Sequence, residues 1–218
     1  MLEWVFPERC AVCARPGPAL CDPCRGALVR LTPPVCERCG SPGHWPVRRC
    51  AECSGRRLAF ARARSAIVYD ERARALVREW KEHGRRRLAA EAAMLVAEVI
   101  APPDVDALAP VPGDPERAWK RGNIPPMGLA RALSRLWDAP AAALLARTRT
   151  LPRQRGLGLT ERRRNVRGSV VASGAVPRSV CLVDDIYTSG ATVDACAAAL
   201  RRAGARRVEV VTLARAVR

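Results

Sequence analysis

The chain has 218 residues, an apolar content of 49 % and a formal charge of +17. That is long enough for one ordinary domain and a small one, and apolar enough to exclude wholesale disorder. Of its 38 basic residues only Lys81 and Lys120 are lysine; arginine favours bidentate contact with phosphate, so polyanionic partners come into view beside a merely solvated basic surface.

The start, MLEWVFPERC, carries Glu3 and no useful apolar run, so no signal peptide is expected. No stretch approaches a membrane span. A cytoplasmic location follows as an expectation, and there clustered thiols are read as metal ligands before disulfides.

Eight of the ten cysteines lie between positions 10 and 53, in a segment rich in Pro and Gly that cannot build its own core. They form four Cys-x2-Cys pairs: Cys10 with Cys13, Cys21 with Cys24, Cys36 with Cys39, and Cys50 with Cys53. Each pair lets two thiolates of one turn address one ion, and two turns complete a tetrahedron. Two structural zinc ions are expected. Sequential pairing puts Cys10, Cys13, Cys21 and Cys24 on one and Cys36, Cys39, Cys50 and Cys53 on the other; spacing leaves an interleaved cross-brace open. Gly40 suits the tight turn of such a knuckle. A domain of residues 1–58 is drawn around the cysteines, and a second over residues 59–218.

Ser65 to Tyr69 reads as a strand. A helical stretch follows, with Leu76, Trp80, Leu88, Leu95 and Val99 spaced around a break at Gly84 and ended by Ala101-Pro102-Pro103. Asp106 to Val111 reads as a short buried strand, and Met127 to Trp137 as an amphipathic helix. Residues 147–167 hold eight arginines and read as a mobile basic segment. Ser179 to Val183 reads as a strand, Ala191 to Arg202 as a helix and Val208 to Leu213 as a last strand. Apolar strands alternating with helices predict an α/β fold, a mostly parallel sheet flanked by helices. Cys181 and Cys196 fall in a strand and a helix and read as core residues; His44 and His83 stand alone and are given no chemical role.

The strongest local signal runs from Val180 to Thr192. An apolar strand ends in Asp184-Asp185, then Ile186-Tyr187-Thr188-Ser189-Gly190-Ala191-Thr192 turns into a helix. The turn offers backbone amides and hydroxyls, and the helix start favours an anion. Two carboxylates at the carboxyl end of a strand stand where an open α/β sheet binds ligands, and suit vicinal hydroxyls held directly or through magnesium. The joint demand is a ligand with a phosphate at one end and a diol nearby. A plain capped helix would explain one hydroxyl and neither acid.

This pattern resembles the phosphoribosyl-pyrophosphate (PRPP) loop of the type I phosphoribosyltransferases, and more closely the ComF competence family. The second resemblance covers nearly the whole chain: the doubled cysteine pairs, Tyr69, Lys81, Val111-Pro112, Arg121-Gly122, Gln154 and Leu157, Arg162 with Asn165, and the loop itself. It implies that Asp184 and Asp185 hold the ribose hydroxyls and that Thr188, Ser189, Gly190, Ala191 and Thr192 wrap the 5′-phosphate. The turn at Val111 and Pro112 would face pyrophosphate, with Arg117 and Arg121 nearby. Gln154, Arg162 and Asn165 would belong to a flexible loop closing over the ligand. It also implies magnesium-dependent phosphoribosyl transfer to an acceptor that no motif identifies. Alternatively it implies a non-catalytic role in DNA uptake, with single-stranded DNA or a competence helicase as partner. Two departures stand out. Arg121-Gly122 is followed by Asn123-Ile124-Pro125-Pro126, where family members read Phe-Asn-Gln. Thr188 replaces the Asp of the hypoxanthine-guanine enzymes, so purine salvage by that route has no support.

Overall fold

The computed structural model describes residues 8–113, 124–148 and 170–217. In chain order the elements are α1 (Asp22–Gly26), β1 (Arg62–Val68), α2 (Glu71–Glu82), α3 (Leu88–Val99), β2 (Ala107–Pro110), α4 (Pro125–Trp137), β3 (Leu145–Arg147), β4 (Val170–Ala172), β5 (Ser179–Tyr187), α5 (Ala191–Arg202) and β6 (Arg207–Arg215).

Strands β1, β6, β5 and β2 form one sheet in that order, parallel at every pairing. Its inner strands are apolar on both faces, as a sheet covered twice requires. Cys181, Val183, Val211 and Leu213 meet Leu76, Trp80, Leu95, Leu129 and Leu133 of α2, α3 and α4 on one face. Val180, Leu182, Val208 and Val210 meet Val193, Cys196 and Leu200 of α5 on the other. Cys181 and Cys196 are the core residues expected, and burial pushes the Cys196 thiol up to about 12.

Several boundaries differ from the sequence reading. Strand β5 does not stop at Val183 but runs through both acids to Tyr187, because β6 is equally long and keeps pairing with it, Asp184 opposite Thr212 and Tyr187 opposite Arg215. The helical stretch does break around Gly84, as read, into α2 and α3. The short antiparallel pair β3–β4, packed against α5, had no periodic signal.

The cysteine-rich segment lies against both faces of this core. Ala11, Leu20 and Leu28 join the cluster under α3, and Arg25 and Arg30 pair with Glu91 and Glu98 of that helix. Cys36, Cys39 and Cys53 join the opposite cluster beside Phe60 and Val210. The connector between the two halves covers the outer edge of β1, with Leu31 donating to Ala66 O and Val68 to Val29 O at 2.8 Å each. This cover pairs part of an edge that would otherwise present free backbone groups.

Candidate functional site

The four sulfurs of Cys10, Cys13, Cys21 and Cys24 lie within 4.8 Å of one another, and so do those of Cys36, Cys39, Cys50 and Cys53. Pairing is therefore sequential. Zinc bound to thiolates at about 2.3 Å puts tetrahedral sulfurs roughly 3.8 Å apart. Cys13 to Cys21 is 3.8 Å, Cys36 to Cys53 3.7 Å and Cys50 to Cys53 3.9 Å. Both clusters fit zinc, and with four protein sulfurs each is closed, the form of a structural site. Gly40, at φ +71°, shapes the second knuckle: a Cβ there would sit 2.6 Å from Ala63 O, so the turn lies hard against β1.

The acidic pair lies at the carboxyl end of β5. Beyond Pro110 the neighbouring strand β2 has ended, and Val111 makes its last backbone contact by donating to Val183 O at 2.9 Å. From β2 the chain passes through α4 to Ala141, which bridges Leu108 on the outer side; from β5 it passes through α5 to β6 on the inner side. The sheet order thus diverges between β2 and β5, the place where open α/β sheets bind ligands. Val111 and Pro112 follow β2 at that end, next to Asp184 and Asp185 on β5.

Both acids are nearly buried, at 9 % and 6 % exposure. Lys81, at the end of α2, places Nζ 2.6 Å from Asp185 Oδ2. The Asp185 amide donates to Asp184 Oδ1 at 2.9 Å. Burial, with the charge of Asp185 added, pushes the Asp184 carboxyl up to about 8, against the pull of Lys81 and Arg147.

Next to the acids, Thr188, Ser189 and Gly190 form the turn into α5. Gly190 is the N-cap at φ +71°, with no side chain capping the helix; only Ser189 Oγ reaches the Ala191 amide, at 3.3 Å. The first turn of a helix so begun has amides to offer an anion. The family resemblance assigns Gly190 to the loop around the 5′-phosphate. The geometry adds another cause: a Cβ at Gly190 would lie 2.2 Å from the Tyr187 hydroxyl, so the turn folds over that ring.

Three arginines that the sequence did not single out build the surroundings. Arg147, counted only within the basic segment, ends β3 and donates from Nε to Pro112 O at 3.0 Å, tying β3 to the chain that follows β2. Arg56 donates to Ser189 O at 2.8 Å. Arg215, fully buried at the end of β6, lies 4.4 Å over the Tyr187 ring and donates to Cys39 O at 2.7 Å and Glu52 Oε2 at 2.6 Å. The second cysteine cluster is thus joined to the turn through Arg215, Tyr187 and Arg56. An arginine directly after the apolar run Leu213-Ala214 was the one local sign of this. Tyr69 joins the same strand end, its amide donating to Arg215 O at 2.7 Å. Arg117, Arg121, Gln154, Arg162 and Asn165 lie outside the described residues, as does most of the basic segment. No described helix is long and apolar enough to cross a membrane.

Residues 1–56 match the double zinc ribbon domain. Over 90 % of both chains the protein is 28 % identical to competence protein F of Haemophilus influenzae. It is 29 % identical to the DNA utilization protein YhgH of Salmonella typhi, over 94 % of this chain and 89 % of that one. The ComF-family resemblance read from the residues therefore extends along the chain. Among solved structures, the glutamine PRPP amidotransferase of B. subtilis matches 57 % of this chain and 25 % of its own length, with TM-score 0.41 and 20 % identity. The orotate phosphoribosyltransferase of Aeropyrum pernix matches 73 % of this chain and 69 % of its own, with TM-score 0.35 and 18 % identity.

Proposed function

We propose that this relative of competence protein F binds PRPP in the crevice between β2 and β5. The observation that carries the reading is the acidic pair: Asp184 and Asp185 are buried near the carboxyl end of β5, at a cost in solvation, and the turn that follows the strand leads into a helix start with no side-chain cap. In this reading Asp184 and Asp185 accept from the ribose 2′- and 3′-hydroxyls. The amides and hydroxyls from Thr188 to Thr192 hold the 5′-phosphate, and the Val111-Pro112 turn faces pyrophosphate. Lys81 holds the Asp185 carboxylate in place through their 2.6 Å ion pair. Arg117 and Arg121, and Gln154, Arg162 and Asn165 of the basic segment, are assigned to the pyrophosphate side and the closing loop on the family resemblance alone. Magnesium, with oxygen donors from the acids and the ligand, would offset the charge of the leaving group.

As an enzyme, the protein breaks the bond from ribose C1′ to the pyrophosphate oxygen. The acceptor forms the new bond at C1′, and the electron pair leaves with pyrophosphate. The chain's part is to hold the sugar, stabilise the developing charge and exclude water. Adding PRPP with magnesium is expected to raise the melting temperature of the zinc-loaded protein, and Asp184→Asn with Asp185→Asn to abolish the rise. A native protein with no rise refutes the reading.

A second reading is supported by the names of the relatives and by the chain's charge: a cytoplasmic DNA-handling factor in which PRPP binding is regulatory or vestigial. It predicts affinity for single-stranded DNA that falls steeply with salt.

A further inference from the structure

Away from the crevice, the second cysteine knuckle meets the start of the edge strand β1. Arg62 there is level with Cys181 through Glu209, whereas the acids lie at the other end of β5. Between knuckle and strand lies a cleft of about 720 Å³ lined by Glu37, Arg38, Arg48, Arg49, Arg62 and Arg64. Five guanidiniums face one carboxylate.

Their partners leave most of that charge standing. Arg62 pairs with Glu209 at 2.6 Å. Arg38 instead donates to the carbonyls of Leu58 and Ala61, Arg64 to those of Glu37 and Ala63, and Arg49 to that of Arg56. A carbonyl orients a guanidinium without neutralising it. A zinc-loaded knuckle contributes two net negative charges at most, and Arg215 already donates toward one of its sulfurs.

The same loop, between Cys39 and Cys50, carries an aromatic ring in water. Trp45 is 69 % exposed, with Arg48 and Arg49 three and four residues on, themselves exposed. Solvated tryptophan costs free energy that no packing here recovers. An exposed ring on the loop that supplies two of the cleft's arginines is the pairing that single strands use: backbone in the charged groove, base on the ring. A duplex would satisfy the arginines but keep its base faces stacked away from Trp45.

We propose that the second knuckle and the start of β1 form a binding site for single-stranded nucleic acid, with consecutive phosphates in the arginine cleft and a base on Trp45. This deepens the DNA-handling reading above and is independent of the phosphoribosyl one.

The test is fluorescence anisotropy of a labelled oligothymidylate of about 15 nucleotides, titrated with the zinc-loaded full chain across a salt series. Arg48→Ala with Arg49→Ala is expected to weaken binding and to flatten the slope of log affinity against log salt by about 1.4, two phosphate contacts' worth. Trp45→Ala is expected to weaken binding about tenfold while leaving that slope unchanged, since stacking releases no counterions. Loss of fold would not separate the two signatures, and zinc content and the PRPP-induced melting shift should be unaltered in both variants. An oligouridylate arm assigns the sugar, and these variant effects on either polymer support the site. The proposal is overturned if the native chain does not bind, or if both variants bind as the native chain does. It is equally overturned if a duplex binds as tightly with Trp45→Ala silent, or if the arginines act only on phosphatidylglycerol vesicles.

Discussion

Replacing Asp184 by Asn should make the protein more stable and blind to its ligand. The Asp184 carboxyl titrates near 3.8 in an unfolded chain and is pushed up to about 8 in the folded one. Between those values the folded state holds more protons than the unfolded state, so stability falls as pH rises through the window. At about 1.4 kcal/mol per pH unit, the cost reaches roughly 4 kcal/mol at pH 7. Asn has no proton to lose, and its side-chain oxygen can still accept from the Asp185 amide, so the substitution removes the cost without orphaning that donor. Zinc-loaded native and variant chains would be unfolded in urea at several pH values from 6 to 8.5, a range that keeps the thiolates ligated. The native chain should lose about 2–3 kcal/mol more than the variant across that range. The variant should be the more stable at pH 8, yet show no melting shift with PRPP. A variant less stable than the native chain at pH 8, or equal pH slopes, would refute the electrostatic reasoning.

Other outcomes follow from the same contacts. Lys81→Met removes the cation 2.6 Å from Asp185 and should raise the pH at which the pair gives up its proton, read by the same urea series, and weaken the PRPP shift. Arg215→Met breaks a buried set of bonds to Glu52 and Cys39; it should cost about 3–5 kcal/mol and let a chelator strip one zinc per chain faster than the other, followed with a chromogenic zinc indicator. Equal release from both clusters would show that Arg215 does not brace the second. Gly190→Ala forces a methyl to within 2.2 Å of the Tyr187 hydroxyl and should lower stability by at least about 1–3 kcal/mol in chemical denaturation, since both the ring and the positive φ oppose it. Metal analysis should find about two zinc ions per chain, and Cys36→Ser should remove one.

How much of this was legible in the sequence depends on the range of the interaction. The cysteine pairs, the acid-rich turn and the helix after it are local patterns, and each appears where its spacing put it. The fate of β5 was not legible, because consecutive aspartates oppose strand formation and only pairing with β6, set by residues 207–215, overrides that preference. Arg215, Tyr187 and Arg56 were missed for a related reason. Their partners lie far off in sequence, Cys39 for Arg215 and Ser189 for Arg56, so no window contains both ends. Arg147 was counted as one charge among eight because its role depends on a hairpin partner beyond the basic segment. The arginine cleft is a product of folding too: Arg38, Arg49 and Arg64 converge only when the knuckle meets β1.

The most direct check on the central claim is calorimetric titration of PRPP, with magnesium present, into the zinc-loaded chain. One ligand per chain should bind, with the heat lost in the doubly amidated Asp184→Asn, Asp185→Asn protein and much reduced when ribose 5-phosphate or pyrophosphate is used alone. Absence of heat with PRPP, or equal binding by the doubly amidated protein, would mean that the acids of β5 are not gripping a sugar.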